Sequence, residues 1–340
     1  MPSEAPGEES ATRSDTEASI RRSRWRLVIA WGAFALYLLL IEYWLGWARL
    51  LAPWRTLDIG AVLGALLLFL LTYALRAHRV YDYFRDAMQG GWLTGLRLMI
   101  YHNALNNLLP MRSGELSFPL LMKRYFGVDY GYSLPALLWF RLLDLHSILL
   151  IGGVALLAGR WHWSVIAGLA GLWLTLPYLA FAARARLRIA LVSRPQNRLT
   201  RLLTKALDGL PANQAALWRS WLLTWINWLV KLLVLAWVLT QFVRMDLVTA
   251  TLGAIGGELT SVLPFHAPAG VGTYEAGIVA ALVPFGLPAK EALNAAVNAH
   301  LFVLSAALAS AALTMLIPHQ GRPSRRTEAG HAADESKDTR

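Results

Sequence analysis

The 340-residue sequence contains no cysteine. Disulfides, thiolate nucleophiles and Cys-based zinc or iron–sulfur sites are thereby excluded. Charge is also scarce: Asp, Glu, Lys and Arg make up 16% of the chain, with 21 acidic against 32 basic residues. A soluble globular domain carries about 25% charged residues. The strict alternation of a β-barrel strand is missing, since "ALLLFLLTYAL" and "LASAALTMLI" are apolar on every face. Also missing are a G-x-x-x-x-G-K-[ST] loop, an H-E-x-x-H helix, a G-x-S-x-G elbow and a dense Asp group suited to magnesium. No catalytic residue, metal ligand or cofactor is therefore assigned.

What is present is oil. Hydrophobic residues make up 56% of the chain and the mean hydropathy is +0.43. Several runs approach the roughly 20 apolar residues that cross about 30 Å of hydrocarbon as helix. The fold class expected is an all-α polytopic integral membrane protein. The excess of basic residues, +11 in formal charge, clusters beside the ends of the apolar runs. Membrane orientation and anionic headgroups account for that placement, so nucleic acid is not an expected partner.

Residues 1–19 and 319–340 are polar, without a periodic apolar face, and are expected to be disordered cytoplasmic tails flanking a membrane domain at 20–318. Six full spans are expected near residues 27–47, 57–75, 134–157, 163–183, 221–242 and 290–317. Gly60 and Gly64 in the second are spaced for a close helix contact. Placing Arg21–Arg26, Arg76–Arg85, Lys123–Arg124, the 184–205 loop and Arg322–Arg326 on the cytoplasmic side satisfies the positive-inside rule with both termini inside. Residues 92–125 then begin and end inside, and residues 247–289 begin and end outside. Each is expected to be a re-entrant hairpin, and the two enter from opposite sides.

These two leftovers carry similar motifs. "NNLLPMRSGEL" (Asn106 to Leu116) and "TSVLPFHAPAGVGTYEAG" (Thr260 to Gly277) each run from a polar pair through Leu-Pro and Gly to Glu. Pro110 and Gly114 in one, and Pro264, Pro268, Gly270 and Gly272 in the other, interrupt backbone hydrogen bonding. The N–H and C=O groups so freed cannot face lipid and must meet protein or a wet cavity. Helices restarting after a break present N–H groups to an anion, and Arg112 could join them bidentately. Inverted broken hairpins whose tips meet near the midplane are a transporter plan. Ordinary loops outside the membrane remain the alternative.

Other polar residues lie within the apolar runs. Arg141 and Asp144 are one helical turn apart, as a structural pair or as part of a pathway. Lys231, one turn after Asn227, needs Glu258, Glu275 or an anionic substrate as its partner. The expected pathway is Asn106, Asn107, Pro110, Arg112, Gly114, Glu115, Arg141, Asp144, Lys231, Glu258, Pro264, Pro268, Gly270, Gly272 and Glu275, with Glu115 and Glu275 facing one shared wet chamber. Asn294, Asn298 and His300 are read as interhelical hydrogen-bonding groups.

"NNLLPMRSGEL", "RLLD" and "LPFHAPAGVGTYEAG", in that order, resemble the lysylphosphatidylglycerol synthase transmembrane-region family, the flippase-type membrane domain also found in the multiple peptide resistance factor. The resemblance implies a bacterial cytoplasmic-membrane protein that translocates or presents an amphipathic or anionic lipid: an aminoacyl-phospholipid, a hopanoid-type or a polyisoprenoid-linked molecule. Membrane lipids are then the expected partners, and homo-oligomerisation stays open. Ala269 stands where many relatives have glycine. Full synthases add a soluble aminoacyl-transferase domain after the membrane region, whereas only a short polar tail follows the last span here, so synthesis of lysyl lipid is not expected. Transport of a small solute and membrane-embedded lipid modification are the competing functions.

Overall fold

A computed structural model describes residues 32, 35–108, 114–193, 195, 197–262 and 268–316. The expected polar tails, Pro110, Arg112 and Pro264 lie outside the described residues, and the side chain of Pro268 is likewise not described. The described residues form helices α1 (Ala35–Trp44), α2 (Trp47–Leu51), α3 (Ile59–Tyr83), α4 (Arg85–Met88), α5 (Trp92–Leu108), α6 (Ser117–Phe126) and α7 (Tyr130–Leu157). They continue as α8 (Trp163–Val192), α9 (Arg198–Asp208), α10 (Gln214–Phe242), α11 (Leu247–Val262), α12 (Thr273–Leu282) and α13 (Ala289–Thr314), with no strand among them. Short 3-10 turns follow α2 and precede and follow α12.

Five of these helices are long and apolar enough to cross a membrane, among the described residues, and the count rises to six if α1 and the segment after it form one span bent by 80°. The bend falls at Gly46, whose φ of +74° favours glycine. Helix starts are set by local chemistry. Asp58 accepts a hydrogen bond from the Ala61 N–H at 2.6 Å before α3, and Asn213 from the Ala216 N–H at 2.9 Å before α10. Asp246 does the same for Thr249 ahead of α11, and the Thr249 hydroxyl and N–H hold its carboxyl below the usual carboxylate range.

Helices α3 and α10 form the axis of the bundle and run antiparallel. Asp82, at the end of α3, meets Arg219, near the start of α10, at 2.9 Å, while Phe69 midway along α3 lies under Lys231 midway along α10. The α5–α6 hairpin is fed from the end of α3 and returns beside it, where Phe84 and Tyr132 of α7 pack edge to face. The α11–α12 hairpin leaves from the end of α10 and returns into α13, near Trp54, which packs on Phe242. Antiparallel axes put these two departure points at opposite ends, so the hairpins enter from opposite sides. Span, hairpin, span (α3, α5–α6, α7) is thus repeated upside down as α10, α11–α12, α13.

Two expectations are corrected. Gly60 and Gly64 make no close helix contact; a side chain at Gly64 would meet open space, and that part of the α3–α10 seam is an apolar groove of about 450 Å³. The tight glycine contact is elsewhere, between Gly256 of α11 and Gly277 of α12, where a Cβ on either would strike the carbonyl oxygen of the other. Arg76 and Arg79, expected on the cytoplasmic side with Arg85, are instead inside the bundle. Helix α3 runs on to Tyr83, so both lie within the bundle, Arg79 only 5% exposed. Their apolar neighbours and the carboxylate of Asp144 hold the extra turns inside.

Candidate substrate chamber

A partly enclosed cavity of about 70 Å³ lies where the described residues of the two hairpins approach each other between α3, α7, α10 and α13. It has room for a few waters. From the first hairpin Asn103, Asn106 and Asn107 reach it; from the second, Glu258, Ala269 and Tyr274. Arg76, Arg141, Asp144, Lys231 and His300 complete its polar wall.

Apart from Arg76, the charges in and around it are organised in three clusters. In the first, Asp144 takes Arg79 Nη1 at 2.8 Å, Arg141 Nη1 at 3.4 Å and the Trp228 indole N–H at 3.1 Å. Arg141 extends its other side to Glu115, Nη2 to Oε1 at 2.7 Å, and Arg79 also donates to the Thr224 hydroxyl at 2.6 Å. The second is Lys231 with Glu258, 2.6 Å apart. The third is Glu275, whose Oε1 receives the Tyr37 hydroxyl at 2.6 Å and lies 2.7 Å from His300 Nδ1, while its Oε2 accepts the Gly272 N–H at 2.8 Å. Buried charge in a low-dielectric interior persists when paired and hydrogen-bonded in this way.

The backbone explains the glycines. A Cβ on Gly114 would overlap the backbone of Leu105 and Asn106, so glycine lets the chain at 114 lie directly against α5. In the second tip Ala269, Gly270 and Gly272 have φ of 55°, 75° and 81°. Ala269 therefore sits in left-handed backbone, the conformation that glycine takes at least cost.

The sequence pattern of the lysylphosphatidylglycerol synthase TM region family matches residues 25–311. The chain belongs to that family. It is a multi-pass membrane protein of a lipid-related family. No curated protein and no solved structure matches it.

The expected pathway residues converge in part. Asn106, Asn107, Arg141, Asp144, Lys231 and Glu258 line the chamber. Glu115 and Glu275 do not, contrary to the expectation: each lies behind a basic partner, Arg141 or His300, which takes the place on the wall. Arg141 holds Glu115, and His300, the Tyr37 hydroxyl and the Gly272 N–H hold Glu275, which offsets the cost of taking each carboxylate out of water. The Lys231 expectation resolves onto Glu258.

Sequence reasoning passed over Arg76, Arg79, Trp228, Tyr274 and His300 as site residues. Signals existed for two of them. Trp228 is three residues before Lys231, hence on its face and far from any interface. His300 is two residues after Asn298 in a run otherwise apolar, but its pairing with Glu275 depends on how α12 lies on α13. Asn298 itself accepts from the Trp54 indole at 2.6 Å, an interhelical role as expected.

Proposed function

We propose that this family member moves an amphipathic lipid between membrane leaflets, or presents its headgroup within the membrane, through the central chamber. One observation carries the reading: a polar, charged chamber sits inside an apolar bundle at the meeting point of two hairpins inserted from opposite sides. A headgroup crossing a bilayer needs polar contacts at mid-depth while its tails stay in hydrocarbon. Opposed hairpins allow access to be exchanged from one side to the other by small movements of either tip. The apolar groove between α3 and α10, at Ala61, Gly64, Ala65, Val230 and Val234, shares the seam containing Phe69 and Lys231 and suits an acyl chain.

The charge distribution supports a cytoplasmic-membrane protein with its basic end, where Arg85, Arg188 and Arg219 are exposed, facing the cytoplasm. The four buried or half-buried cation–carboxylate contacts support a handling role for headgroups that bear charge. Nothing in such a cycle requires a covalent bond to break.

Proteoliposomes carrying the full chain and a fluorescent phospholipid test the reading. Leaflet exchange faster than in protein-free vesicles, with the lipid's mass unchanged, is expected. A changed lipid mass would point to lipid modification instead, and exchange no faster than in protein-free vesicles would remove the translocation reading.

A further inference from the structure

Around the chamber the described residues place four cations, Arg76, Arg79, Arg141 and Lys231, and three carboxylates, Glu115, Asp144 and Glu258, besides the Glu275–His300 pair. That last pair adds no net charge. His300 Nε2 lies 2.9 Å from the Ala269 carbonyl oxygen, which can only accept, so this nitrogen carries a proton. Between Nδ1 and Glu275 Oε1, 2.7 Å apart, sits one more proton. Imidazolium with carboxylate and imidazole with carboxyl both sum to zero.

Three of the four cations are held by carboxylates: Arg79 and Arg141 by Asp144 and Glu115, Lys231 by Glu258. Arg76 is different. Among the described residues it makes no hydrogen bond or ion pair, its Nε is buried without a partner, and its guanidinium carbon lies 5.3 Å from the centre of the Trp228 ring. It lines the chamber, so the surface it keeps open faces inward. On the same wall stands Asn103, 7% exposed, with its amide Nδ2 likewise unpartnered. A guanidinium and an amide donor left over in a partly enclosed cavity form an incomplete anion site.

We infer that the chamber binds one phosphodiester monoanion, with the Arg76 guanidinium as its principal ligand and Asn103 Nδ2 as a second donor. This rests on the lipid-handling reading and narrows its substrate class. An unmodified anionic phospholipid headgroup neutralises the one excess cation among the described residues. A lysyl ester adds two ammonium groups to one phosphate, which makes the headgroup net cationic below the amine pKa values, so it would meet Arg76 and three further cations without cancelling the excess. The preferred substrate is therefore the anionic headgroup.

The test uses the purified full chain in a non-ionic detergent, with thermal stabilisation read against dihexanoyl phosphatidylglycerol, its lysyl ester, dihexanoyl phosphatidylcholine and inorganic phosphate. Saturable stabilisation by phosphatidylglycerol, weakened about tenfold or more in Arg76→Gln and less in Arg76→Lys, is expected. Arg76 has no ion-pair partner to strand, and the comparison of headgroups on the unaltered chain needs no variant. Binding of the lysyl ester as tight as that of phosphatidylglycerol, or an Arg76→Gln chain with unchanged affinity, overturns the inference. Inorganic phosphate matching the lipid would assign the site to a soluble anion and overturn the lipid source. Leaflet exchange is scored separately. Arg76-dependent binding without exchange sinks the transport reading alone, and exchange indifferent to Arg76 and to headgroup charge sinks this inference alone.

Discussion

Lys231 Nζ lies 2.6 Å from Glu258 Oε2, with the two side chains 9% and 3% exposed, and this contact ties the middle of a spanning helix to the second hairpin. The ammonium also lies 5.2 Å and 5.5 Å from the ring centres of Trp228 and Phe69. The same pair is a structural clamp and part of the chamber wall, and substitutions separate the two roles.

Lys231→Met leaves the Glu258 carboxylate without this counter-charge, and breaking a buried pair from one side costs about 3–5 kcal/mol. Thermal unfolding in detergent should show a large loss for Lys231→Met and recovery of most of it in Lys231→Met with Glu258→Leu. Leaflet exchange should stay low in both. Recovery of exchange along with stability would make the pair a clamp only.

Asp144 holds two arginines and an indole N–H, so Asp144→Asn should be among the most damaging changes in the bundle. Arg79 and Arg141 would share one neutral acceptor, and the expected outcome is a loss of several kcal/mol in stability. Arg141→Gln is expected to be milder, because Asp144 keeps Arg79 and the Glu115 carboxylate, a fifth exposed, can be hydrated. Chemical denaturation of the two variants side by side orders them, and equal losses would contradict this hierarchy.

Gly256→Ala puts a methyl group onto the Gly277 carbonyl oxygen at the closest approach of α11 and α12. Overpacking of this kind costs about 1–3 kcal/mol. Gly64→Ala, where the added Cβ meets nothing within 4 Å, is the control and should change the melting temperature little. Reversal of that order would show that the hairpin is looser than its backbone contact implies.

Ala269 sits at φ 55°. Left-handed backbone costs a non-glycine residue about 1–2 kcal/mol, offset in part by the greater chain entropy of glycine in the unfolded state. Ala269→Gly should therefore be neutral to mildly stabilising, and Ala269→Val clearly destabilising, in thermal melts. A destabilised glycine variant would mean that the Ala269 methyl makes packing contacts worth more than the strain.

The cysteine-free chain lends itself to accessibility mapping. Gln89→Cys at the start of the first hairpin and Ala289→Cys at the end of the second are both at exposed positions. A membrane-impermeant maleimide should reach Ala289→Cys from outside intact cells and Gln89→Cys only in inverted vesicles. Labelling of both from one side would undo the opposed arrangement.

Sequence alone determined the solvent of this protein and narrowed its plan to two readings. Runs of apolar residues about 20 long have one stable solution in hydrocarbon, a helix, and the Pro and Gly breaks near Asn106 and Gly270 are too costly to face lipid, which leaves protected tips or loops outside the membrane. It also marked Lys231 and Asp144, because charge within an apolar run demands a partner. Which partner was left to the tertiary structure: Glu258 rather than Glu275 for Lys231, Arg79 as well as Arg141 for Asp144, and His300 for Glu275. Arg76 and Arg79 show why. At the end of a hydrophobic run a basic residue reads the same whether it faces headgroups or turns inward, and only the packing of α3 against α7 and α10 decides between water and a buried chamber.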